Sequence, residues 1–105
     1  MKTRADFLAA NAGRRVSTPG FILLVRERKD SDPAMRVGFT VTKRIGGAVI
    51  RNRMKRRFRA LAQELVPAKG IAGADHVMIG RSKGIERDFQ LLRSELAGAL
   101  DGLRR

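Results

Sequence analysis

Between Lys43 and Arg59 the chain reads KRIGGAVIRNRMKRRFR, a stretch that holds eight of the 23 Lys and Arg residues and no acid. Guanidinium and ammonium groups gathered this densely offer one chemistry, charge-assisted hydrogen bonding to the oxygens of an anion. A helix built only for solubility mixes both signs of charge. One sign alone costs self-repulsion, so an external polyanion is the expected partner. The candidate contacts are Lys43, Arg44, Arg51, Asn52, Arg53, Lys55, Arg56 and Arg59. On a 3.6-residue period Ile50, Met54, Phe58, Leu61 and Leu65 share one side, with Asn52, Lys55, Arg56 and Arg59 roughly opposite. Arg51 falls at one edge of the polar side, and Arg53 and Arg57 at the other. Ala48 and Val49 are expected to pack. The pair Gly46-Gly47 precedes the helix and is open enough to admit a phosphate, but GxxxxGK[ST] is missing and this is no Walker loop.

Other chemistry is poorly represented. No serine, histidine and carboxylate arrangement is evident from spacing. His76, the only histidine, lies in an apolar run and is expected to be structurally satisfied rather than a base or ligand. The ten acids are scattered: Glu86 and Asp88 suit the start of a last helix, and Asp30 and Asp32 suit a turn. Without cysteine there is no disulfide and no thiolate zinc site. The residues read as an RNA-binding protein with no catalytic group or metal site of its own.

The elements that carry the basic stretch follow from pattern. Thr3 to Ala12 reads as a short helix with Thr3 as cap and Gly13 as its end. Phe21 to Arg28 is strand-like, and KDSDPA from Lys29 to Ala34 is turn chemistry that predicts a hairpin. Met35 to Thr42 alternates, with Met35, Val37, Phe39 and Val41 on one face and Arg36, Gly38, Thr40 and Thr42 on the other. The basic helix is expected from Ala48 to Leu65, ending before Pro67. Asp75 to Gly80 is a short buried strand, for which the preceding helix makes parallel pairing plausible. Ile85 to Leu103 carries a stripe of Ile85, Phe89, Leu92, Leu96, Ala99 and Leu103. The pattern is an α+β arrangement around one sheet, in one domain covering residues 1–105.

Composition agrees. With 43% hydrophobic residues the chain should fold, and a net charge of +13 points first to nucleic acid. No run approaches the roughly 20 apolar residues needed to cross a bilayer, and the N-terminal residues lack the apolar core of an export signal. A cytoplasmic protein without membrane association is expected, monomeric apart from its RNA partners.

The run Lys43-Arg44-x-Gly46-x-Ala48-Val49-x-Arg51-Asn52-x-x-Lys55-Arg56-x-x-Arg59 resembles the signature of the bacterial ribonuclease P protein subunit. Asp6-Phe7, the strand Gly20 to Arg26, the run Arg36 to Thr42, the strand Asp75 to Arg81 and the last helix also sit where that family has equivalents. The resemblance covers nearly the whole chain. It implies α-β-β-β-α-β-α order, one mixed four-stranded sheet with helices packed on it, and a left-handed crossover around the basic helix. It implies a non-catalytic protein subunit of an endoribonuclease, whose RNA subunit uses Mg²⁺ to hydrolyse the bond that releases the 5′ leader from precursor tRNA. The product is a mature tRNA with a 5′ phosphate. The implied partners are ribonuclease P RNA, met by the eight polar residues above, and precursor tRNA. The leader would lie in a cleft between first helix and sheet, near Phe7, Asn11, Arg14, Arg15, Phe21 and Phe39. No cofactor bound by the protein itself is implied. Asn11 stands where many members have an aromatic, Leu24 where some have tyrosine, and Gly47 where asparagine is common. An aromatic platform for the leader is thereby weakened. The competing reading is a structural RNA-binding protein of a ribosome or other ribonucleoprotein.

Overall fold

Short apolar stretches and one alternating stretch build a single sheet in the computed structural model, which describes residues 14–28 and 31–103. Its strands are β1 (Arg14–Ser17), β2 (Phe21–Glu27), β3 (Arg36–Thr40) and β4 (Ala74–Gly80). Two helices follow from the longer periodic stretches, α1 (Ala48–Lys69) and α2 (Phe89–Leu103), with a 3-10 turn at Ser82–Gly84 between β4 and α2. The helix expected over Thr3–Ala12 lies outside the described residues. The spatial order is β1-β2-β4-β3, with β1/β2 and β2/β4 antiparallel and β3/β4 parallel. The fold is therefore α+β with one mixed sheet.

The expected hairpin between the second and third strands does not form, because β4 lies between them. Ala74, Asp75, His76, Val77 and Met78 are all buried, so β4 is covered on both faces, as suits a central strand. Past the end of β2, the Arg28 side chain instead ties down the stretch that leads into β3. Arg28 Nη2 donates to the carbonyls of Asp32 (3.1 Å) and Ala34 (2.6 Å), while Arg28 Nη1 reaches Asp75 Oδ1 at 3.0 Å.

Because side chains alternate along a strand, the sheet has two different faces. Phe21, Leu23 and Val25 of β2 and Met78 of β4 point to the side covered by α1 and α2, where they meet Met54, Phe58, Leu61, Leu92, Leu96 and Leu100. Phe21 and Phe58 pack edge to face, with centroids 5.8 Å apart at 68°; each such buried ring stabilises the fold by about 1.5–3 kcal/mol. The other side carries a smaller buried cluster, Leu24 and Val77, flanked by Ile22 and Ile79.

Both helix boundaries differ from expectation. α1 continues through Pro67 to Lys69. The missing proline N–H removes a single bond near the helix end, where the cost is smaller than in mid-helix. Gly70 N donates to Val66 O at 2.7 Å, and Lys69 Nζ pairs with Asp101 of α2 at 3.1 Å, which holds the last turn in place. α2 begins at Phe89 rather than Ile85 because Asp88 caps it, its Oδ2 accepting from Gln90 N (3.0 Å) and Leu91 N (3.2 Å).

Candidate nucleic-acid interface

α1 is amphipathic, yet its docking stripe starts one turn later than periodicity suggests. Met54 is the first buried residue, and it packs at the end of the sheet, where a Cβ on Gly80 would come within 2.5 Å of its Sδ. The residues of α1 before Met54 contribute no buried side chain and extend past that rim. Ile50 is 39% exposed and Val49 82% exposed, and Ala48 is exposed too, so the packing expected of Ala48 and Val49 is not found.

The cations sit on this projecting turn and along the outer side of the helix. Lys43, Arg44, Asn52, Arg53, Arg56 and Arg59 are exposed, while Arg51 and Lys55 are half-buried. Arg51 Nε donates to Gly46 O at 3.2 Å, which folds it back over the glycine loop. Arg59 lies over the Phe39 ring with its guanidinium carbon 5.9 Å from the centroid, a cation–π contact that positions the group. Beside it, β3 and α1 enclose a groove of about 420 Å³ lined by Met35, Val37, Phe39, Ala62, Val66 and Pro67. Among the described residues no carboxylate pairs with Lys43, Arg44, Arg51, Arg53, Lys55, Arg56 or Arg59. The first turn of α1 carries no acid, and its N-cap, Gly47, provides no side-chain cap. The helix dipole thus adds to the side-chain charge there. Among the described residues, ion pairs to α1 occur only farther along the helix or at its end, Glu64 with Arg93 and Lys69 with Asp101.

Arg57, placed by periodicity at the edge of the polar side, has a different task. Its Nη1 donates to Gly84 O and Ile85 O (3.4 Å each), its Nη2 to Arg87 O, and its guanidinium carbon lies 5.9 Å from the Phe89 ring centroid. Burial lowers its pKa from the ordinary arginine value; Arg53 adds to that and Asp88 opposes it. Arg57 thus fastens α1 to the segment that leads into α2. Nothing in its spacing separates it from the neighbouring arginines; the signal is the cluster of free carbonyls around a 3-10 turn, which only the fold reveals.

The residues expected near the leader divide between the two faces of the sheet. Phe7 and Asn11 lie outside the described residues. Phe21 is fully buried against Phe58, so its ring belongs to the core and lines no cleft. Phe39 sits on the helix-facing side beneath Arg59, away from Leu24. Arg14 pairs in register with Val25 and turns to the same side, where Nη1 donates to Leu103 O at 2.6 Å. Arg15 pairs with Leu24 and shares its face, which alternation extends to Gly38 and Thr40 of β3.

That second face also contains an ionic cluster that the sequence did not single out. Asp75 is buried and accepts from Arg28 and, through both oxygens, from Arg36 (2.7 and 3.0 Å). Burial raises its pKa, but the Arg36 and Arg28 bonds outweigh that and leave it below the ordinary carboxylate value. His76 beside it is fully buried and satisfied. Its Nε2 accepts from Ile71 N at 3.1 Å, so Nδ1 carries the proton and donates to Arg36 O at 3.2 Å. Among the described residues no group of three or more His, Cys, Asp or Glu side chains is placed to hold a metal, and no helix is long and apolar enough to cross a membrane.

Comparison with known proteins covers almost all of the chain. The family model described as Ribonuclease P matches residues 1–104. A ribonuclease P protein component from Erythrobacter litoralis is 58% identical over 100 residues, spanning 95% of this chain and 81% of that protein. One from Paramagnetospirillum magneticum is 43% identical over 104 residues, covering 95% and 78%. Among solved structures, the ribonuclease P protein of Staphylococcus aureus superposes with a TM-score of 0.81 at 27% identity, covering 98% of this chain and 93% of that one. The Thermotoga maritima protein, in complex with 1-(4-fluorophenyl)-2-thiourea, gives 0.78 at 30% identity, with 96% of each chain covered.

Proposed function

Since the chain belongs to the ribonuclease P protein component family, we propose that it binds ribonuclease P RNA through the projecting turn and outer side of α1. In this reading it helps that RNA remove the 5′ leader of precursor tRNA. The observation that carries the proposal is the row of cations from Lys43 to Arg59 with no acid partner among the described residues. Intramolecular pairing would have neutralised such a row in a helix meant only for stability, whereas phosphates spaced along a folded RNA take up isolated guanidinium and ammonium groups. Lys43, Arg44 and Arg53 address phosphates around the first turn, and Lys55, Arg56 and Arg59 those along the helix. Asn52 supplies both a donor and an acceptor to a ribose or a loop.

The protein's acids support a non-catalytic role. Asp75, Glu95, Glu64 and Asp101 are each held by an arginine or lysine. Phosphodiester hydrolysis is assigned to the RNA subunit and its Mg²⁺, with the protein bringing substrate and catalyst together. The leader is assigned to the sheet face that carries Leu24 and Arg15. There Gly38 and Thr40 form a small, hydroxylated floor that a flexible strand can approach closely. Charge, shape and hydrogen bonds hold it, with Phe21, Phe39 and Arg14 committed elsewhere.

Reconstitution tests the proposal. The protein is added to a bacterial ribonuclease P RNA at low Mg²⁺ and cleavage of precursor tRNA is followed. Acceleration with release of an intact leader and a 5′-phosphorylated tRNA is expected. A protein that binds the RNA but leaves cleavage unchanged would point to a structural role in another ribonucleoprotein.

A further inference from the structure

Among the described residues Val49 is the most exposed large apolar side chain, 82% accessible, on the first turn of a helix whose buried stripe begins only at Met54. Its neighbours do not shelter it. Ala48 is exposed, Ile50 is 39% exposed, and a Cβ on Gly47 would meet nothing within 4 Å beyond its own chain neighbours. A β-branched residue at an exposed helical position is also a weaker helix former than alanine. Val49 therefore adds nothing to the packing of this chain and costs its helix a little.

The surroundings specify what could cover it. Lys43 and Arg44 are exposed a few residues before that turn and Arg53 one turn after Val49, and the sequence from 43 to 63 contains no acid. Such a collar repels a second copy of this +13 chain and favours a polyanion with apolar surface between its charges. RNA has that composition, since an unstacked base presents an uncharged flat face between flanking phosphates.

We infer that Val49 is an RNA-contact residue, an apolar knob that seats against an unstacked base of the ribonuclease P RNA while the cations around it engage the adjoining phosphates. The inference rests on the function proposed above. It adds a contact that does not depend on salt to an interface otherwise made of salt-dependent ones. The phosphate contacts supply affinity for any RNA, and the knob selects a site where a base is available beside them.

The full chain with Val49→Thr, close in shape but bearing a hydroxyl, is compared with the parent and with Val49→Ala. Binding to ribonuclease P RNA is titrated over a salt series, and thermal melts are recorded in parallel. Both variants are expected to keep the parent's melting temperature to within a degree or two. Both should bind about five- to tenfold more weakly at every salt concentration, with an unchanged slope of log affinity against log salt. A parent that stimulates cleavage while both variants bind within twofold of it would overturn the Val49 contact and leave the proposed function standing. Weaker binding accompanied by a flatter slope would also overturn it, since Val49 would then act by displacing a cation. A parent that neither binds nor stimulates the RNA would remove both proposals together.

Discussion

Arg56 and Arg57 are neighbours in sequence and opposites in use, and substituting each by alanine should separate RNA binding from folding. Arg57→Ala removes one short hydrogen bond to the Arg87 carbonyl and two longer ones, at 3.4 Å, to Gly84 and Ile85. A hydrogen bond from a charged donor contributes about 1.5–3 kcal/mol, and bonds as long as 3.4 Å fall well below that. The loss should therefore be about 2–4 kcal/mol, a large share of the roughly 5–15 kcal/mol that stabilises a domain. In urea, with m of about 2 kcal/mol per molar, the unfolding midpoint should fall by about 1–2 M. Arg56 is exposed and makes no hydrogen bond or ion pair among the described residues, so Arg56→Ala should move the midpoint by the equivalent of less than about 0.5 kcal/mol. It should instead flatten the slope of log RNA affinity against log salt by roughly 0.7–0.9, the signature of one lost phosphate contact. Arg57→Ala, measured at a temperature where it is folded, should leave that slope unchanged. The reverse result, a stable Arg57→Ala with a flattened slope beside an unstable Arg56→Ala, would mean that the helix is rotated differently about its axis.

The buried acid and the buried histidine give two further predictions. Asp75→Asn removes the carboxylate charge that pairs with Arg28, whose side chain is only 5% exposed; breaking a buried pair costs about 3–5 kcal/mol, and the half-exposed Arg36 places this case near the lower end. Chemical denaturation should show that loss, and a variant as stable as the parent would deny Asp75 its structural role. Burial holds the His76 pKa below its ordinary value, with hydrogen bonds to the Arg36 and Ala74 backbone opposing in part. The unfolded chain then takes up the proton first, so the stability tied to the neutral ring is complete above about pH 6.5 and is lost as pH falls toward the folded-state value. Urea midpoints measured between pH 8 and 5 should drop more steeply for the parent than for His76→Gln, and parallel curves would refute this.

Much of the architecture could be read from periodicity, for reasons that particular residues make plain. The Met54-Phe58-Leu61-Leu65 stripe is buried as expected because a helix on a sheet must hide one side, and the Phe39-centred alternation is a strand because only one of its faces meets α1. Local pattern failed where distant chain decided. The turn chemistry of KDSDPA suits a hairpin, but the burial demanded by Ala74–Met78 put β4 in the gap. Pro67 looked like a terminator, yet a proline so near a helix end forfeits little. For the site, the order of basic residues and glycines was enough to indicate the family. Which arginines are free was hidden, because it depends on carbonyls and carboxylates that only tertiary structure assembles. The exposure of Val49 was hidden for the same reason, since periodicity gives the phase of a helix but not where the sheet beneath it stops.

The place of β4 has a consequence for how the molecule comes into being. The strand that completes the middle of the sheet is the last of the four to leave the ribosome, after the whole of α1. Until then β2 and β3 each present a bare edge to a gap that nothing yet fills, while a highly cationic helix hangs from one of them. Assembly waits on distant pairings, which slows it.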